Sequence, residues 1–154
     1  MAFDIFLKLV GSTGAIEGES VNQKHQNEID VLSFSWGESR DGATADPQEL
    51  AFVTPLSIAS PLLAEACALG TPITTAQLSV NNASVKGTTE LLMIKLQGVT
   101  VGSYQMAVAD TDPQATDRFT LAFTQINIVK GRQSATGTIT GGTNVTIDFP
   151  PPAA

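Results

Sequence analysis

The feature that most constrains this chain is a change of face within one dense apolar stretch. Its apolar side chains first occupy the odd positions Ile29 and Val31. They then occupy the even positions Leu32, Phe34 and Trp36. Because successive side chains of a strand point to opposite faces, this slip moves the apolar set from one face to the other. The stretch therefore predicts a bulged strand, or a strand that passes between two sheets, with Trp36 anchored in the core.

A second stretch near the end of the chain repeats this change of face. Phe119, Leu121 and Phe123 occupy odd positions. Ile126 and Ile128 then occupy even positions. Two such strands, together with 42% hydrophobic and only 15% charged residues, predict a mainly β protein. The predicted architecture is a two-sheet antiparallel β-barrel or sandwich, because both strands must bend strongly.

One short α-helix on the side of the sheets has clear start and stop signals. Ser60 is a good N-cap, and Pro61 suits the first helical position because it lacks an N–H group. Gly70 can end the helix in a left-handed conformation, and Pro72 prevents its continuation. A helix this short is marginal alone, so we expect an apolar stripe to pack on a sheet. The stripe consists of Leu62, Leu63, Ala66, Cys67 and Leu69.

Two further segments bear on the surface of the protein. Residues 38–47 have no hydrophobic periodicity and predict a long exposed loop, a flap that orders on contact.

The run from Leu91 to Ile94 is apolar on both faces of its strand. One face must be the core, and we expect a neighbouring subunit to cover the other at Leu91 and Met93. Contacts between different patches run head to tail and can close a ring, so this pattern predicts a homo-oligomer.

Residues that could carry chemistry are few. His25 is the only histidine and Cys67 the only cysteine, so the chain has no Cys–His set for a structural zinc ion. The run with Asp110, Asp112 and Asp117 lacks the glycine and the terminal glutamate of a calcium-binding loop. No phosphate-binding glycine loop or nucleophile motif is present. We therefore predict no catalytic, metal or cofactor site, and a protein that is not an enzyme.

The bulk properties exclude several other classes. A length of 154 residues and a net charge of −7 fit one domain, residues 1–149, that does not bind nucleic acid. Residues 150–154 are expected to form a frayed Pro/Ala tail. No apolar run is long enough to insert into a membrane. The start of the chain does not look like a Sec signal peptide, which predicts folding in the cytoplasm.

Several of these segments resemble the haemolysin-coregulated protein family, the tube subunits of bacterial type VI secretion systems. The most specific segment is Gly18–Gly37, with Gly-Glu-Ser, then His25, then Glu-Ile-Asp-Val-Leu-Ser-Phe-Ser-Trp-Gly. The opening Phe-Asp-Ile-Phe-Leu-Lys, the helix segment and the two long strands are also similar to the family. The resemblance covers roughly residues 1 to 130. The chain departs from the family at residues 137–149, which read as a final hairpin about Gly141 and Gly142.

The resemblance implies homo-hexameric rings that stack into a hollow tube. Such a tube carries effectors in its lumen, acts as their chaperone, is driven by a contractile sheath and ends in a trimeric spike protein. Its subunits assemble in the cytoplasm and are exported without a signal peptide. The alternatives are a tail-tube subunit of a phage-like contractile injection particle and a monomeric β-barrel that binds a small ligand.

A tube subunit would use two more groups of residues. If Leu32, Phe34 and Trp36 fill the core, strand alternation places Ser33 and Ser35 on the opposite face. A small polar face of this kind suits the wall of a lumen, although an ordinary solvent face would look the same. The tip of the 38–47 loop, with Arg40, Asp41 and Gly42, could reach the ring above or below.

Overall fold

The computed structural model describes residues 3–82, 89–111, 115–133 and 139–149. In chain order the elements are β1 (Phe3–Gly11), β2 (Gly14–Ile16), β3 (Ile29–Val31), β4 (Ser33–Ser35), β5 (Glu38–Asp41), β6 (Thr44–Pro47), β7 (Leu50–Pro55), α1 (Ser60–Leu69), β8 (Ile73–Asn82), β9 (Thr89–Ala107), β10 (Thr116–Ala122), β11 (Gln125–Gln133) and β12 (Ile139–Asp148). The protein is therefore mainly β with one helix, in agreement with the predicted fold class. Within the described ranges no helix has the length and apolar character needed to cross a membrane.

Apart from the separate pair β5–β6, the strands form two antiparallel sheets that share β9. Sheet A has β2 and β3 beside β1, followed by β8, β9, β11 and β12. Sheet B consists of the C-terminal half of β9, then β10, β7 and β4. Since β9 carries nineteen residues and runs through both sheets, it links them covalently along one side.

Gly98 lies at the bend where β9 passes from sheet A towards sheet B. Its φ is +65°, a left-handed conformation that side chains rarely adopt. A Cβ at this position would also lie 2.1 Å from the Oγ1 atom of Thr124. Both the backbone conformation and the close approach favour glycine at this bend.

Both predicted changes of face are confirmed as crossings between sheets. Ile29 in β3 is paired with Leu7 in sheet A, whereas Phe34 in β4 is paired with Phe52 in sheet B. The crossing lies at Leu32, whose N–H group donates to the carbonyl oxygen of Val53 in sheet B at 2.8 Å. In the same way, β10 belongs to sheet B and β11 to sheet A.

The core lies between the two sheets. Phe52 and Phe119 stack at its centre with ring centroids 5.1 Å apart. The largest fully buried side chains are Phe52, Phe119, Leu7, Leu9, Ile29, Leu50, Leu63, Ile73, Leu78, Leu96, Leu121 and Ile126. These residues come from both sheets and from α1, so a single core holds all the principal elements together.

The prediction that Leu32 and Trp36 fill the core needs correction. Leu32 is 41% exposed, because it sits in the crossing between the sheets rather than within a paired strand. Trp36 is half-buried and packs against the edge of the core, 6.2 Å from the ring of Phe123. Its indole N–H donates to the carbonyl oxygen of Gln48 at 2.8 Å. Trp36 thus anchors the core from its rim, beyond the short strand β4.

The helix has the predicted end but a different start. Gly70 adopts the left-handed conformation with a φ of 66°. Ala59, not Ser60, is the N-cap residue, because the Ser60 hydroxyl is engaged by Asp117 instead. The stripe also proves narrower than predicted: Leu63 and Ala66 are buried. Leu62 and Leu69 are 44% and 72% exposed.

Two predicted turn regions have more strand than expected. Residues 38–47 are exposed, as predicted, but they form the hairpin β5–β6 rather than a loop. Asp41 is paired with Thr44, and Gly42 between them has a φ of +61°, which suits a tight hairpin turn. Gly141 and Gly142 do not make a final turn, because they lie within β12 and this strand pairs with β11. The predicted tail at 150–154 lies outside the described residues.

Candidate functional site

The outer face of sheet B carries small and polar side chains in two rows across its four strands. The first row is Ser33, Val53, Arg118 and Gln105. The second row is Ser35, Ala51, Thr120 and Ser103. The aromatic row between them, Phe34, Phe52, Phe119 and Tyr104, faces the core because side chains alternate along each strand. The alternation that builds the core therefore also builds this polar outer face.

The two rows surround an open depression of about 440 Å³. Ser33 and Ser35, the predicted candidates, are both exposed on this face. Ser103 lies beside Thr120, with 2.9 Å between their hydroxyl oxygens. Short side chains leave the depression unfilled, so the face can receive part of another molecule.

Glu49 reaches the same face beside Thr120 of the second row. Its Oε1 atom accepts a hydrogen bond from the hydroxyl of Thr120 at 2.5 Å. Its carboxylate covers Gly102, where an added Cβ would lie 2.1 Å from Oε1. Glycine at 102 thus creates the space that this carboxylate occupies.

A buried polar cluster supports sheet B from the inside. Asp117 is 1% exposed, and its Oδ1 atom accepts a hydrogen bond from the hydroxyl of Tyr104 at 2.6 Å. Its Oδ2 atom accepts a second hydrogen bond from the hydroxyl of Ser60. That hydroxyl in turn accepts a hydrogen bond from the N–H group of Ser57 at 3.0 Å. Asp117 therefore ties the start of α1 to two strands of sheet B.

This cluster perturbs the titration of Tyr104. Burial, together with the hydrogen bond to Asp117 and the negative charge of that carboxylate, raises the pKa of Tyr104 to about 12. The neutral phenol is thus favoured in the folded state. The neutral Tyr104 phenol therefore stabilises the folded state. This contribution is fully present below the ordinary tyrosine pKa of about 10 and is lost as pH rises through about 12.

The titration of Tyr104 can be observed directly, since it is the only tyrosine in the chain. We expect the absorbance of tyrosinate to rise with a midpoint near pH 12 in the folded protein. In Asp117→Asn the midpoint should move towards 10, because the negative charge is removed while one hydrogen-bond acceptor remains. A wild-type midpoint near 10 would contradict the observed contact.

The first part of the most specific sequence segment, residues 18–28, forms a tight loop on the outer side of sheet A. A Cβ on Gly18 would lie 2.6 Å from the carbonyl oxygen of Glu28, so a larger residue cannot fit without moving the backbone. Ser20 is buried and donates its N–H group to the same carbonyl oxygen at 3.0 Å. The carboxylate of Glu19 accepts a hydrogen bond from the N–H group of Ile58 at 2.8 Å. The Gly-Glu-Ser motif therefore closes this loop and ties it to the segment before α1.

His25 fastens the other end of this loop. Its ring stacks on Phe6 with centroids 4.4 Å apart and planes 8° apart. Its Nδ1 atom lies 3.1 Å from Oε1 of Glu28, and its Nε2 atom lies 3.2 Å from Nδ2 of Asn81. Both ring nitrogens thus have a neighbour in the loop or in β8, so the histidine ties the loop to sheet A.

The structure places the remaining candidate residues apart from sheet B. Leu91 and Met93 lie on the outer side of sheet A and are half-buried. Arg40, Asp41 and Gly42 are exposed at the end of the β5–β6 hairpin. No group of three or more metal-ligating His, Cys, Asp or Glu side chains occurs in the described ranges. The candidates therefore define three separate surfaces.

Sequence reasoning missed most of the outer face of sheet B. It identified Ser33 and Ser35 because they alternate with three large apolar residues. It missed Arg118, Thr120 and Ser103, because only the strand register shows that they share this face. The sequence signal for this face was that these residues alternate with the aromatic residues Phe119 and Tyr104.

Comparison with known proteins shows the family of the chain. Residues 6–129 match the family model described as "Type VI secretion system effector, Hcp". Protein hcp1 of Pseudomonas aeruginosa is 32% identical over 152 residues, which cover 92% of this chain and 91% of that protein.

Solved structures agree with this match. The crystal structure of Hcp1 from Salmonella typhimurium has a TM-score of 0.83 and 28% identity, over 97% of this chain and 96% of that one. A type VI secretion system effector from Yersinia pestis has a TM-score of 0.80 and 27% identity, over 95% of this chain and 100% of that one. With the sequence motif and the two-sheet fold now supported by these matches, the chain belongs to the Hcp family of type VI secretion system proteins.

Proposed function

We propose that this protein is the tube subunit of a type VI secretion system, assembled as stacked homo-hexameric rings that carry effectors in the lumen. In this proposal the subunits assemble in the cytoplasm and are themselves exported. The main support for this proposal is the outer face of sheet B. Its side chains are small and polar, and it lies between two exposed sheet edges. A face of this kind suits the inner wall of a passage better than it suits a catalytic site.

The edges of sheet B supply a means of closing a ring. β4 pairs only with β7, and residues 103–107 of β9 pair only with β10, in the part of the chain that the structure describes. Unpaired edges readily pair with another chain. If one edge of a copy pairs with the opposite edge of the next copy, the contacts run head to tail and can close. The polar faces would then form one continuous wall.

This wall fits a surface that must hold cargo and release it. Ser33, Ser35 and Ser103 offer hydroxyl groups, and each hydrogen bond to cargo would contribute about 0.5–1.5 kcal/mol. Repetition in every subunit turns such weak contacts into useful avidity. The absence of large apolar side chains from the two rows would keep cargo from adhering too firmly.

Other surfaces would serve the remaining contacts of a tube. Leu91 and Met93 on the outer side of sheet A are proposed to contact a neighbouring subunit. Arg40, Asp41 and Gly42 at the tip of the β5–β6 hairpin are proposed to contact the next ring. A trimeric spike protein, a contractile sheath and effector proteins are the further partners that the family implies.

Enlarging Ser35 tests the cargo proposal. In Ser35→Gln we expect a normal yield of rings but about fivefold less co-purified effector, because the longer side chain fills the depression and removes a hydroxyl contact worth ~1 kcal/mol. The measurement is the amount of effector retained on affinity-purified rings. Ser12→Gln, at an exposed serine in the β1–β2 turn, is the matched control and should retain all cargo. Equal retention by both variants would exclude this face as the cargo wall.

A further inference from the structure

Arg118 is distinguished by its position on the outer face of sheet B. In the two rows across this face it is the only charged side chain. It is exposed and lines the depression of about 440 Å³. Its strand, β10, is paired on both sides, by β9 and β7. Arg118 is therefore carried by a strand that is held on both sides rather than by an edge strand.

The neighbours of Arg118 leave its charge available. Among the described residues, no carboxylate oxygen lies within 4.0 Å of its guanidinium group. Its immediate neighbours in the row, Val53 and Gln105, carry no charge. Glu49, the carboxylate that reaches this face, instead binds Thr120 in the other row. A cation in this setting has room for a ligand from outside the chain.

We propose that Arg118 selects cargo by binding a side-chain carboxylate on an acidic segment of the cargo protein. The planar guanidinium group can donate two parallel hydrogen bonds to one carboxylate, which adds both energy and direction. The short side chains of Ser33 and Val53 leave space for such a segment to lie in the depression. This inference rests on the proposed function, because it requires cargo to contact this face.

A polypeptide fits the face better than a nucleic acid. The chain has a net charge of −7, which repels a nucleic acid, with one phosphate in every nucleotide, more strongly than a polypeptide segment with spaced carboxylates. Binding of a nucleic acid depends on several phosphate contacts and on aromatic side chains that stack with bases. The two rows offer one cation and no aromatic side chain per subunit. One carboxylate per subunit is the ligand that matches this arrangement.

The test measures binding of two fluorescein-labelled peptides to assembled rings of the full chain at low salt. One peptide repeats Glu-Gly-Ser, and the other repeats Gln-Gly-Ser. We expect wild-type rings to bind the acidic peptide, and Arg118→Gln to weaken that binding about tenfold or more. Arg118→Lys should lie between the two, because a lysine keeps the charge but not the paired donors. Added salt should weaken the wild-type complex.

The matched control removes a charge from the opposite side of the protein. Lys95→Gln changes an exposed lysine on the outer side of sheet A and should leave binding of the acidic peptide unchanged. An equal loss in Lys95→Gln, equal binding by Arg118→Gln, or no binding to wild-type rings would overturn the inference. Tighter Arg118-dependent binding of an oligothymidylate would also overturn it, in favour of a nucleic acid.

Imaging of the same samples separates this inference from the proposed function. If rings form and the acidic peptide binds without dependence on Arg118, only the inference fails. If the protein forms no rings, the proposed function fails and the inference that rests on it fails too.

Discussion

Asp117→Ala is expected to lower the free energy of unfolding by about 3–5 kcal/mol. The carboxylate of Asp117 is 1% exposed and accepts hydrogen bonds from Tyr104 and Ser60. Alanine would leave both hydroxyl groups without their acceptor and would open a cavity beneath α1. The measurement is urea unfolding followed by the fluorescence of Trp36, the only tryptophan.

Two further variants test why Asp117→Ala should lose stability. Asp117→Asn keeps an oxygen for one donor and should cost only ~1–2 kcal/mol. Asp46→Ala, at an exposed position on the β5–β6 hairpin, should change stability by less than ~0.5 kcal/mol. All variants must be compared at one protein concentration, because assembly adds concentration-dependent stability. An unfolding midpoint for Asp117→Ala close to that of wild type would show that the cluster does not hold the helix in place.

Met93→Lys is expected to convert rings into folded monomers. Met93 lies on the outer side of sheet A, where we propose a contact between subunits. A lysine buried there without a partner costs several kcal/mol of desolvation. That cost should raise the concentration needed for assembly by ~100-fold. Sedimentation velocity at several concentrations measures this shift, and circular dichroism checks that the monomer stays folded.

A second lysine variant on the same face provides the control. Gln97 lies on the same strand as Met93, four residues further along, and is exposed. Gln97→Lys adds the same charge to the same side of the sheet, but we expect its rings to persist. If Met93→Lys rings survive dilution as wild-type rings do, the subunit contact lies elsewhere.

The parts of the fold that depend on alternation could be predicted from sequence. Both sheet crossings were visible because large apolar residues changed parity at Leu32 and again between Phe123 and Ile126. The end of the helix could be predicted at Gly70, because glycine has no Cβ and so readily adopts the left-handed conformation that ends a helix. These signals are local, so a few neighbouring residues contain all the necessary information.

The parts that depend on register or on distant partners could not be predicted. Ser60 looks like an N-cap, but its hydroxyl binds Asp117, which is 57 residues away in the chain. Trp36 looks like the centre of a core strand, but it follows a strand of only three residues and lies at the rim of the core. Arg118 joins Ser33 on one face only through the pairing of three strands. Such neighbours are set by tertiary structure, which overrides local patterns.

The candidate site, too, could be predicted from the sequence only in part. Strand alternation was enough to place Ser33 and Ser35 on the face opposite Phe34. It could not show that this face is concave, or that sheet B ends in two unpaired edges in the described part of the chain. Those two properties are the ones that support a passage through a ring.

The position of Ser35 within an assembled particle tests the central proposal most directly. Ser35→Cys, prepared with Cys67→Ser to remove the natural thiol, can be labelled with a small gold cluster and viewed end-on by electron microscopy. The proposed function predicts six-fold rings with gold in the central opening. Gold on the outer rim, or labelled particles that are not rings, would contradict the assignment of sheet B to the lumen.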